Sequence, residues 1–202
     1  MTPDRPRLTT LPNLLGLARI GLTPVVMALL LVPFPGSGMW AFVIFLVAGL
    51  SDFVDGWLAR RRHQVSTLGV FLDLTADKVL VAGVLVVLVE VDLLPSWLVA
   101  LLLIREFVVG GIRQLAASEQ VVVSAQFLGK AKTVFTLVAI CALLLAFDAA
   151  QGGLSTAVAS AAGWQAFGLA TMLMAAFLSV LSGLDYLRGA LPLLFGTTDS
   201  PT

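Results

Sequence analysis

Asp52, Asp55, Asp73 and Asp77 fall within 26 positions of a strongly apolar chain. A carboxylate at mid-helix in a membrane costs roughly 2.5–3.5 kcal/mol on insertion scales, so four of them together require a purpose. Asp52, Asp55, Gly56 and Ala59 stand at i, i+3, i+4 and i+7, and Gly69, Asp73 and Asp77 at i, i+4 and i+8. On helices, each set shares one face. The short link between them predicts antiparallel neighbours whose acidic faces look at each other. Carboxylates held that close repel unless cations sit between them, and an oxygen-only donor set suits Mg²⁺, Mn²⁺ or Ca²⁺. Two such ions could stabilise the attacking and leaving oxygens of a displacement at phosphorus. Salt bridges to Arg60–Arg62 would not need four acids on two matched faces. Gly56, Ala59 and Gly69 leave those faces without bulk, which serves either tight helix packing or room for a nucleotide or headgroup.

A second group of charges is basic. Arg105 stands several residues inside an apolar run with Glu106 beside it, and Arg113, Lys130 and Lys132 flank the link that follows. A buried cation needs an anion. A carboxylate such as Glu106 could serve, although adjacent helical residues point apart, so that partner is expected to come from another helix. An anionic acceptor could equally serve, with arginine gripping its phosphate. Lys130 and Lys132 are two apart, so an ideal helix sends only one of them to that pocket. Lys78, beside Asp77, reads as structural or interfacial, and Asp185 and Tyr186 as interfacial anchors.

The elements that must carry these residues are transmembrane. Of the 202 residues, 59% are hydrophobic and 12% charged, about half the charged share of a soluble domain. Zero net charge gives no field toward nucleic acid, and none is expected as a partner. Segments 13–32, 39–60, 67–89, 96–116, 127–147 and 164–187 are each long and apolar enough for a span. The expected fold is therefore an all-α, polytopic bundle of six transmembrane helices. Residues 1–12 form an N-terminal segment, 13–190 the catalytic domain and 191–202 a tail. No small-residue cleavage site follows the first apolar run, so it is expected to stay. Arg5, Arg7, Arg60–Arg62, Arg113, Lys130, Lys132 and Arg188 fall at one set of ends, and the other three links carry no Lys or Arg. Positive residues face the cytoplasm, which places both termini and the acidic cluster on the inner side of the cell membrane. Trp40, Trp97 and Trp164 open spans on the opposite side, where interfacial indoles belong. Cys141 has no partner thiol and reads as a core residue.

The run Asp52-x2-Asp55-Gly56-x2-Ala59-Arg60-x8-Gly69-x3-Asp73-x3-Asp77 resembles the signature of the CDP-alcohol phosphotransferases, with all eight positions filled. PNLLGLARI, FLDLTADKVL, IREFVVGGIRQLAA, GKAKT and SGLDYLRGA extend the resemblance toward the bacterial phosphatidylglycerophosphate synthases of that family. Gly16 departs from the threonine common there. The resemblance implies transfer of a phosphatidyl group from CDP-diacylglycerol to glycerol 3-phosphate, with release of CMP. It implies Asp52, Asp55, Asp73 and Asp77 as metal positions, with Asp77 also the general base. It implies Asp55, Gly56, Ala59, Arg60 and Gly69 around the CDP moiety, a divalent metal cofactor (Mg²⁺ or Mn²⁺, two ions) and a homodimer. Arg105, Arg113, Lys130 and Lys132 are the candidates for the acceptor phosphate. Sister enzymes making cardiolipin or phosphatidylinositol phosphate also take phosphate-bearing acceptors. A divalent cation transporter would instead place acids near the bilayer midplane on broken helices, often with internal repeats. Here the acids lie near one end of their spans and no repeat is visible.

Overall fold

The computed structural model describes residues 11–62, 67–118 and 127–194. Six helices follow in order: α1 (Leu11–Leu31), α2 (Ser37–Arg62), α3 (Thr67–Glu90), α4 (Ser96–Ser118), α5 (Phe127–Ala150) and α6 (Ala161–Leu194). A short 3-10 turn, Leu154–Ala157, lies between the last two, and no strand occurs among the described residues. Five helices match the expected spans closely at both ends, and α6 runs past residue 187 to Leu194. Within the described residues, Leu14–Leu31, Leu128–Ala150 and Ala161–Gly189 are long and apolar enough to cross a membrane by length and composition alone. Helices α2, α3 and α4 carry most of the charged residues singled out above, and α5 carries Lys130 and Lys132. The protein is an all-helical membrane protein.

The turns that join these helices are chemically explicit. Helix α3 ends in a Schellman closure, with Leu93 N–H donating to Leu88 O at 2.9 Å and Asp92 N–H to Val89 O at 3.1 Å. The left-handed position is Asp92, at φ 57°. Helix α5 ends the same way around Gly152, at φ 71°, with Gly153 N–H donating to Asp148 O at 2.9 Å. Trp40 and Trp97, each within a turn or so of the start of its helix, are well exposed. Trp164 instead donates its indole N–H to Ser155 O at 3.2 Å.

Each helix packs chiefly on two others, in the cyclic order α1, α2, α5, α6, α4, α3 and back to α1. Phe45, Leu30, Leu80, Leu85, Leu88, Leu98, Ile140, Leu143, Leu144 and Met172 fill the core between them. Close helix approach uses glycine. A Cβ on Gly168 would come within 2.8 Å of Leu143, and one on Gly83 within 2.7 Å of Thr23. Helices α2 and α3 carry the acidic faces expected to meet, and most of those side chains lie outside the described residues. Their described residues touch only lightly, and each packs far more extensively on α1.

One buried carboxylate ties the tryptophan end together. Asp148, 1% exposed, accepts Met39 N–H at 3.2 Å, Ser155 N–H at 3.0 Å and the Ser155 hydroxyl at 2.7 Å. Met39 lies in the first turn of α2, so a side chain of α5 satisfies an amide that the helix itself leaves without a partner. Gly38 and Gly153 make the room. A Cβ on Gly38 would lie 2.6 Å from the Asp148 backbone, and one on Gly153 would lie 2.2 Å from its carboxylate.

Candidate active site

The acidic residues lie on the parts of α2 and α3 that flank residues 63–66. Asp52 and Asp55 are on helical backbone in α2, and Asp73 and Asp77 on helical backbone in α3. The surroundings of Gly56 and Gly69 and the side chains of Asp52, Asp55, Ala59, Arg60 and Asp73 lie outside what is described. What positions their backbone is described, and it is α1. Arg19, 3% exposed, donates from Nε to Ala48 O at 3.1 Å and from Nη2 to the Ser51 hydroxyl at 3.2 Å. Ser51 in turn donates to Ala48 O at 2.8 Å. One turn away, Gly16 lies under α3, where a Cβ would come within 3.1 Å of Leu72 Cβ. Ser51 and Leu72 are the residues immediately before Asp52 and Asp73. Gly16 and Arg19 are three apart, so a single turn of α1 grips both acidic helices just before their aspartates.

Asp77 is partly buried and within electrostatic reach of the Lys132 ammonium. Lys132 leads to the basic residues. Its side chain, 14% exposed, donates to Glu106 Oε2 across α5 and α4. Arg105 Nη1 lies 3.4 Å from the same oxygen, and Lys78 Nζ lies 4.0 Å from Glu106 Oε1. Glu106 therefore collects three cations from three helices. Arg105 also reaches α6, donating from Nε to Ser179 O at 2.9 Å and from Nη2 to the Ser182 hydroxyl at 2.7 Å. The glycines again permit the approach. Gly183 faces Arg105 with room for no more than van der Waals contact, and a Cβ on Gly110 would sit 3.3 Å from Lys78 Nζ.

The basic residues expected to act together are thus divided. Arg105 and Lys132 converge on Glu106. Lys130 is exposed while Lys132 is largely buried, as their spacing on one helix requires. Arg113 stacks its guanidinium over the buried Tyr186 ring at 5.5 Å, a cation–π contact that joins α4 to the end of α6. One expectation is corrected. Arg105 and Glu106 do pair, although adjacent on one helix, with Arg105 Nη1 lying 3.4 Å from the Oε2 that Lys132 also engages. Lys78 turns toward α4 and belongs to the cluster. The sequence holds a signal for Glu106 and Lys78, since some carboxylate must neutralise the intramembrane cations. Arg19 is signalled only as one charge inside an otherwise apolar first span.

Among the described residues no group of three metal-ligating side chains occurs, and three of the four aspartate side chains are not among them. The donor chemistry of the four fits a hard divalent cation, since each offers only oxygen.

Known proteins resemble the chain along most of its length. It is 41% identical over 147 residues to a CDP-diacylglycerol–glycerol-3-phosphate 3-phosphatidyltransferase of Bacillus subtilis, covering 67% of this chain and 76% of the relative. It is 38% identical over 174 residues to a CMP-forming cardiolipin synthase of Streptomyces coelicolor, covering 83% and 78%. A Rickettsia bellii protein with the same name as the Bacillus relative is 33% identical over 181 residues, covering 88% and 93%. With residues 9–181 matching its family model, the chain belongs to the CDP-alcohol phosphatidyltransferase family.

Proposed function

We propose that the protein transfers the phosphatidyl group of CDP-diacylglycerol to glycerol 3-phosphate, giving phosphatidylglycerophosphate and CMP. The observation that carries this reading is the convergence of Lys78, Arg105 and Lys132, from α3, α4 and α5, on Glu106, with Lys78 next in sequence to Asp77. The acids suit the diphosphate of the donor through metal ions, and the cations suit a phosphate on the acceptor. Serine or choline would not need such a cluster.

Asp52, Asp55, Asp73 and Asp77 would hold the divalent cations, Mg²⁺ or Mn²⁺. Those ions, when bound, neutralise the donor diphosphate and make its phosphorus more electrophilic. Asp55, Gly56, Ala59, Arg60 and Gly69 are proposed around the CDP moiety, which their small size and single guanidinium suit. Asp77 takes the proton from the acceptor hydroxyl. The hydroxyl oxygen forms its bond to the phosphorus that bears the diacylglycerol, and the bond from that phosphorus to the CMP oxygen breaks. Arg105 and Lys132 hold the acceptor phosphate so that its hydroxyl meets the donor in line. Residues 13–190 form the catalytic domain, with both termini and the site on the cytoplasmic side and two copies forming a dimer.

A second reading has a specific observation behind it. The Streptomyces relative is named a cardiolipin synthase and aligns over more of this chain than the Bacillus relative. Its acceptor would be phosphatidylglycerol, whose phosphate is a monoanionic diester. The deciding experiment incubates purified protein in detergent with CDP-diacylglycerol and Mg²⁺ or Mn²⁺ and offers each acceptor in turn. CMP release with glycerol 3-phosphate alone, and a product of the mass of phosphatidylglycerophosphate, is expected. Release with phosphatidylglycerol alone would replace the first reading by the second.

A further inference from the structure

We infer that Glu106 is a stand-in anion at the acceptor site, held by the cations until the acceptor phosphate displaces it. The inference rests on the acceptor reading above and deepens it. Arg105 commits Nε and Nη2 to α6, through Ser179 O and the Ser182 hydroxyl. Only its Nη1 edge faces the cluster, and Glu106 Oε2 lies against it. Lys132 donates to that same oxygen. A phosphate that engages Arg105 Nη1 and the Lys132 ammonium together competes with Glu106 Oε2 for the same two groups.

The structure provides somewhere for the displaced carboxylate to go. Its other oxygen, Oε1, is 4.0 Å from Lys78 Nζ, on the more exposed side of the cluster. A turn of the side chain toward Lys78 exchanges one cation for another without leaving the carboxylate in an apolar setting, where it would be costly. Charge supports the same exchange. Lys78, Arg105 and Lys132 against Glu106 leave two positive charges, which a phosphate monoester dianion cancels. A phosphodiester, with a single negative charge, leaves the cluster unbalanced and competes less well with a carboxylate. Glu106 thereby favours monoester acceptors and keeps the cations from standing bare inside the membrane before the acceptor arrives.

The test is a split of kinetic constants in Glu106→Gln. With no internal anion to displace, its KM for glycerol 3-phosphate falls about ten-fold, the order of one charge-assisted hydrogen bond that the phosphate no longer has to break. The KM for CDP-diacylglycerol stays within about two-fold, and inorganic phosphate becomes a correspondingly stronger competitive inhibitor. A merely structural carboxylate would lower kcat or raise both KM values on removal, so a raised or unchanged KM for glycerol 3-phosphate overturns the inference. Should Glu106→Gln fail to fold, Glu106→Asp keeps the charge but withdraws it from Lys132. It is expected to lower the same KM about three-fold, half the free-energy change of the full removal, and a rise there is equally fatal. Lys132→Met separates the two levels. If it leaves the KM for glycerol 3-phosphate unchanged, the acceptor pocket is wrong. If it raises that KM while Glu106→Gln does not lower it, the pocket stands and the displacement fails.

Discussion

Replacing Arg19 by methionine tests whether α1 is a passive span or the part that sets the acidic helices. Met keeps much of the apolar volume and removes the guanidinium. Two described hydrogen bonds go with it, at 3.1 and 3.2 Å, each from a charged donor. Bonds of that kind contribute about 1.5–3 kcal/mol apiece, whereas neutral bonds between membrane helices average about 0.6 kcal/mol. The larger figure does not survive intact. Removing a 3% exposed charge also removes its desolvation cost. Its two described acceptors stay satisfied, because the Ser51 hydroxyl still donates to Ala48 O. The net loss of stability is therefore about 1–2 kcal/mol, measurable as a shift in reversible unfolding by SDS in mixed micelles. Catalysis should suffer more. A displacement of α2 by about 1 Å is worth on the order of 100-fold in rate where reacting groups must be aligned. CMP release should fall by about 10- to 100-fold, and the Mg²⁺ concentration for half-maximal activity should rise. Wild-type turnover per folded molecule, with an unmoved Mg²⁺ midpoint, would refute the positioning role.

Asp77→Asn should release CMP about a thousand-fold more slowly at saturating substrates, as expected for loss of a general base; full turnover would remove that assignment. Asp148→Asn should destabilise the protein by about 2 kcal/mol without changing either KM, because an amide presents a donor to groups that are themselves donors, and equal unfolding midpoints would count against it. Asp92→Gly should leave activity unchanged and raise stability by about 0.5–1 kcal/mol, since glycine adopts a φ of 57° at no steric cost; a loss of stability would show that the aspartate side chain matters there.

The sequence speaks more clearly about elements than about their arrangement. Hydrophobic run length and breakers such as Pro33, Pro35 and Pro95 locate the spans, because a helix must cross a fixed apolar thickness. The end of α6 is harder to read, because Arg188 looks like an interfacial stop, yet nothing in the backbone chemistry there ends a helix before Pro192. Periodicity on one helix carries no information about which other helix it meets, so the place of α1 against both acidic helices is not legible. Nor is the target of Arg19, a backbone carbonyl that every residue possesses. The cation cluster is half legible. Arg105 and Lys132 stand out as charges in apolar runs, but assigning Glu106 as their common anion needs the approach of α3, α4 and α5. Asp148 leaves a fainter signal: a carboxylate near the end of an apolar helix with glycines on both sides of it in space, only one of which is near it in sequence.

The grip of α1 on α2 and α3 has a consequence for biosynthesis. The three helices that frame the acidic residues leave the ribosome before α4, α5 and α6, and they include Arg19, Gly16, Ser51 and Leu72. That part of the fold can assemble in the bilayer while later spans are still being translated. The cations contributed by α4 and α5, and the α6 hydroxyl and carbonyl that steady Arg105, arrive only afterwards. The packing around the acidic residues is thus in place early, and the Glu106 cluster is completed last.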